Sequence, residues 1–211
     1  MDYPRVTEIL RAYTSYDQVP ADILQRAAAR GTTVHALCAG IAKGNWIPDG
    51  MIEEELLGYV SSFKQWSAAQ VAKFVIIEKR YMDDDLKYSG QLDFVVEGTD
   101  GKLYLVDLKT SARPQKTYPV QMAAYDHLLR KQGVTVHGAM IVYLSKTGEF
   151  PDIHFIEDMK PEFAVFVSAL YCWHYFNKGK KHGRKEELEH IPTGAECDGR
   201  PGLHTKGVED C

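Results

Sequence analysis

Apolar residues recur at helical spacing through the first third of the chain and then give way to short β-branched and aromatic runs. Val6 to Tyr13 predicts a short helix, followed by a polar connection to Pro20. From Ala21 to about Ala42, Leu24, Ala27, Ala28, Gly31, Val34, His35, Cys38 and Ile41 fall three or four apart, with Arg26, Arg30 and Thr33 on the opposite side. That is the signature of an amphipathic helix whose core-facing stripe includes His35. Gly44-Asn45-Trp46 and Pro48-Asp49-Gly50 interrupt the pattern, and a second amphipathic helix is expected to begin near Met51, its stripe being Ile52, Leu56, Tyr59, Val60, Phe63 and Trp66.

Strand patterns follow at Lys73 to Met82, Tyr88 to Glu97 and Lys102 to Lys109. The last two are separated by Gly98-Thr99-Asp100-Gly101, a good hairpin turn. A helix is predicted from about Pro119 to Lys131, ending at Gly133. Strands near Val136 to Ser145 and Ile153 to Ile156 and a last helix from Pro161 to Phe176 complete the folded part. The order α, α, βββ, α, β, β, α behind the short first helix fits an α/β (α+β) domain with a mixed central sheet flanked by helices. Residues 1–177 read as a single domain and 178–211 as a polar tail, basic and then glycine-rich.

Three acids and a lysine stand out on the strands. Side chains alternate across a strand, so Asp107 and Lys109 share one face and Leu108 takes the other. Asp93, fourteen residues earlier, is expected on the face of Gln91 and Val95, leaving Leu92, Phe94 and Val96 to pack the core. Glu78 is expected to share a face with Phe74 and Ile76, where a buried acid needs a cation or hydrogen bonds nearby. Carboxylates are the oxygen donors that Mg²⁺ or Mn²⁺ prefers. Gln121 and Tyr125, four apart on a helix, lie on one face.

Taken in order, Arg30-Gly31-Thr32-Thr33-Val34-His35, Glu78, Gly90-Gln91-Leu92-Asp93, Asp107-Leu108-Lys109 and Gln121-Met122-Ala123-Ala124-Tyr125 closely resemble the RecB-like branch of the PD-(D/E)XK nuclease superfamily. Leu92 stands where the superfamily name has a proline. The resemblance implies a restriction-endonuclease-like core with N-terminal helices over the site, and a metal-dependent deoxyribonuclease, of exonuclease type, acting in recombination, repair or phage DNA processing. It implies that His35, Asp93, Asp107 and the Leu108 carbonyl ligate Mg²⁺ or Mn²⁺, and that Glu78 is a supporting or second-metal carboxylate. Lys109 would orient the attacking water and steady transition-state charge. Gln121, Tyr125 and Arg30 would contact the substrate strand, and the partner would be DNA, as a single strand or a duplex end. The alternatives are a CRISPR-adaptation-type nuclease working in a complex, and a catalytically inactive DNA-binding or scaffold protein of the same fold.

Composition changes this picture only at its edges. A chain of 211 residues suits one well-buried domain. A net charge of −4 argues against a broad basic surface. Glu53-Glu54-Glu55 and Asp83-Asp84-Asp85 gather acids on a helix and in a turn, whereas Lys178, Lys180, Lys181, Arg184 and Lys185 cluster near the C-terminus. No segment resembles a membrane span or a signal peptide, so a cytoplasmic protein is expected. Some relatives hold an iron–sulfur cluster on four cysteines, but Cys38, Cys172, Cys197 and Cys211 lack that spacing, and no cluster is expected. His182, His190 and His204 lack zinc-finger spacing. No residue pattern assigns a protein partner or an oligomeric state.

Overall fold

The fold is that of a computed structural model, which describes residues 3–14, 19–111 and 114–178. Among the described residues, apolar periodicity makes five helices: α1 (Val6–Leu10), α2 (Ala21–Ala42), α3 (Glu54–Gln70), α4 (Thr117–Lys131) and α5 (Lys160–Phe176). A 3₁₀ turn, Arg11–Tyr13, extends α1, so the predicted Val6–Tyr13 helix tightens at its end. Another, Asp49–Met51, precedes α3, which begins three residues later than expected, with Glu54 and Glu55 in the first turn where acids suit the helix dipole. The chain leaves α4 through Gly133, whose φ of 75° an L side chain would resist.

Among the described residues five strands, β1 (Val71–Asp83), β2 (Tyr88–Gly98), β3 (Leu103–Lys109), β4 (Gly138–Tyr143) and β5 (Asp152–Ile156), form one sheet in sequence order. β1, β2 and β3 are an antiparallel meander, β3 and β4 are parallel through the α4 crossover, and β5 returns antiparallel. Two apolar layers cover the sheet. Ile9, Leu128, Leu129 and Phe166 of α1, α4 and α5 pack in one, and Val34, Cys38, Phe63 and Trp66 of α2 and α3 in the other.

Two expectations about faces are corrected. A register shift between Phe74 and Ile76 sends those residues to opposite layers, so Glu78 cannot share a face with both. Leu92 packs in the α4 layer and Phe94 in the α2–α3 layer, although regular alternation would put them together. The reversal falls on Asp93.

Candidate active site

β3 keeps its parallel pairing with β4 through Lys109, but its pairing with β2 ends at Phe94 opposite Val106. Beyond that rung the strands part, and Asp93 fills the gap. Its Oδ2 accepts a hydrogen bond from the Leu108 N–H at 2.9 Å, where a backbone carbonyl would otherwise serve. The N–H and C=O of a strand residue lie on the same edge, so the Leu108 carbonyl faces this gap as well.

Four polar side chains converge there. His35 comes from the middle of α2, its Nδ1 3.1 Å from Asp93 Oδ1. Asp107 is buried, with Oδ2 2.6 Å from Lys109 Nζ. That contact is a buried ion pair. Gln121, also buried, links the pair: its Nε2 donates to Asp107 Oδ1 at 2.9 Å and to the Tyr125 hydroxyl at 3.1 Å, while Lys109 Nζ donates to its Oε1 at 3.4 Å. Tyr118, which sequence reasoning missed, places its ring 4.4 Å from Lys109 Nζ, a cation–π contact. One turn before Gln121 on α4, it is marked in sequence only by that spacing.

The electrostatics follow from burying two acids and two bases together. Burial disfavours a charged imidazole, yet Asp93 beside it and Asp107 farther off hold the His35 pKa above the ordinary value. Burial would raise Asp93, but His35, Lys109 and the Leu108 N–H outweigh it and hold the acid below the usual range. Asp107 goes the other way: burial, reinforced by the Asp93 charge, outweighs the pull of Lys109 and raises it. Lys109, opposed by burial, is raised by Asp107 and Asp93 and stays an ammonium.

Glu78 is not brought into this cluster. Half-buried, its carboxylate lies 3.7 Å from Lys43 at the end of α2, and among the described residues it makes no hydrogen bond to the four groups above. Gln121 and Tyr125, expected to contact the substrate strand, are 7% and 4% exposed, and Gln121 lines the cavity over the cluster. Gly90 explains Tyr125, since a Cβ there would meet the Tyr125 ring at 2.6 Å. Arg30 has its guanidinium carbon 5.8 Å from the Tyr59 ring centre and a buried Nε without a partner.

A cavity of about 520 Å³ opens over the cluster. Thr7, Leu10, Arg11 and Thr14 form one wall and Leu24, Ala27, Ala28, Arg30 and His35 another, with Lys109, Tyr118 and Gln121 opposite. The N-terminal helices thus stand over the site. Of the other residues weighed in the sequence, Cys38 is buried in α2 and Cys172 exposed in α5. Cys197, Cys211, His182, His190, His204 and the basic run beyond Lys178 lie outside the described residues. Among the described residues no helix is long and apolar enough to cross a membrane.

No curated protein matches the chain. The solved structure titled "Crystal structure of SSO0001" is similar at 16% identity and a TM-score of 0.42, covering 82% of this chain and 76% of that one. The sequence model described as the PD-(D/E)XK nuclease superfamily matches residues 8–202, nearly the whole chain. With its mixed five-stranded sheet and flanking helices, the chain belongs to the PD-(D/E)XK nuclease superfamily.

Proposed function

We propose that the protein is a metal-dependent deoxyribonuclease of the RecB-like branch, an exonuclease for DNA recombination, repair or phage DNA processing. The observation that carries the reading is the convergence of His35, Asp93, Asp107 and Lys109 where β2 and β3 part, beneath a cavity.

The residues present fit a divalent cation. Two carboxylates, a main-chain carbonyl and one imidazole are a donor set suited to Mg²⁺ or Mn²⁺, and Asp107 Oδ2 is a buried acceptor already turned toward a cation, the Lys109 ammonium. Among the described residues no three His, Cys, Asp or Glu side chains already surround one point, so holding an ion would require Asp107 to turn from Lys109. A cation bound there would acidify a coordinated water and neutralise phosphoryl charge.

The protein's own groups do the rest. Lys109 donates from its ammonium to the water or to a phosphoryl oxygen instead of acting as a base. Gln121 holds the acid and the ammonium at a fixed spacing. Arg30 supplies charge to the strand from the α2 wall. The cavity is comparable in size to a small-ligand cleft, which favours one extended strand over a duplex.

The test is incubation of end-labelled single- and double-stranded DNA with Mg²⁺, Mn²⁺ or chelator. Hydrolysis that needs the metal and disappears in D107A supports the proposal. No hydrolysis by the wild type, or equal activity in D107A, rejects it.

A further inference from the structure

Glu78 adopts left-handed backbone, φ 45°, in the middle of β1, where residues other than glycine, asparagine and aspartate seldom go. It stands opposite Asp93, between the rungs Ile77–Phe94 and Lys79–Leu92. At that rung both strands reverse their alternation with no residue inserted. On one side Ile76 and Val95 pack with the α4 layer and Ile77, Phe94 and Val96 with the α2–α3 layer; on the other, Tyr81, Tyr88 and Leu92 pack with the α4 layer. Counted in twos from Val95, Asp93 would face α4, beside Asp107. Counted from Leu92 it faces α2, and it is against His35 of α2 that it is found.

We propose that Glu78 is a positioning residue whose left-handed backbone turns the β1–β2 ribbon over at the Asp93 rung and so aims Asp93 at His35 and the Leu108 N–H. Its carboxylate is engaged elsewhere, with Lys43, so what the site takes from Glu78 is a backbone conformation. Local strain at a functional site commonly has this use, re-aiming one side chain in a strand that would otherwise alternate. The importance of this for metal binding rests on the function proposed above; the geometric claim does not.

The test is a double-mutant cycle between H35A and D93N, read by urea unfolding of the metal-free protein in wild-type, E78G, E78N, E78V and K43A backgrounds. The His35–Asp93 coupling should persist in E78G, E78N and K43A, because glycine and asparagine accept left-handed backbone, and should be lost in E78V. Mn²⁺ affinity by calorimetry should follow the same order. Loss of the coupling in both E78G and E78N, or full retention in E78V, overturns the proposal; if E78V does not fold, E78G and E78N decide it. Because the coupling is read without metal or DNA, an inactive wild-type protein would refute the nuclease reading and leave this result standing.

Discussion

Gln121 bridges Asp107 and Lys109, donating to the acid at 2.9 Å and accepting from the ammonium at 3.4 Å. It is buried beside the reactive pair and also lines the cavity. Q121A should therefore lower kcat more than it raises KM for DNA, because Asp107 and Lys109 lose their fixed spacing. Steady-state kinetics on a labelled oligonucleotide decides it, and a pure KM effect would return Gln121 to direct strand binding.

Removing one member of the Asp107–Lys109 pair leaves an uncompensated buried charge. K109A should abolish hydrolysis and, without metal, cost about 3–5 kcal/mol of stability. The double variant D107N/K109M should be equally inactive yet closer to wild type in a urea melt. The cost follows from burial, since Asp107 is 3% exposed.

Among the described residues His35 is the only imidazole in the cluster. H35A should weaken Mn²⁺ binding roughly ten-fold or more by calorimetric titration, with a smaller relative effect on the melting temperature. Unchanged binding beside a large fall in melting temperature would make His35 a packing residue.

Gly90 has no room for a side chain, since a Cβ would lie 2.6 Å from Tyr125 Cε1 and 2.9 Å from Leu128 Cδ1. G90A should cost about 1–3 kcal/mol by overpacking and lower activity through Tyr125, which receives a hydrogen bond from Gln121. Truncation in Y125A should relieve the clash, so the double variant G90A/Y125A should lose less stability than the two single costs added. Additive losses would show that the clash is not the cause.

Asp83 closes the far end of the β1–β2 hairpin. Its carboxylate accepts from the Asp85 and Leu86 N–H groups, His127 and Lys131. Burial opposes its charge, but these bonds together hold its pKa below the ordinary value. A folded pKa below the unfolded one, about 3.9, gives stability that is complete above that value and is lost as pH falls through the folded pKa. Urea melts between about pH 2.5 and 6 should show a flatter acid limb for D83N than for wild type; parallel limbs would exclude Asp83 as a source of acid sensitivity.

Much of the fold was legible because periodicity is local. The α2 boundaries, the meander, the hairpin at Gly98–Gly101 and the order of later elements follow from spacing, burial pattern and turn residues. The ordered motifs likewise placed His35, Asp93, Asp107 and Lys109 in one neighbourhood, since their spacing along the chain survives folding. Only the tertiary structure decided which faces they share. The reversal at Glu78 and Asp93 inserts no residue and leaves no trace in a two-residue period, so counting alternation puts Leu92 with Phe94, and the register shift between Phe74 and Ile76 breaks the count that puts Glu78 on the face of both. The bridging place of Gln121 and the contact of Tyr118 with Lys109 depend on how α4 crosses the sheet. Local sequence determines which side chains an element can present, while packing between elements determines what those side chains meet.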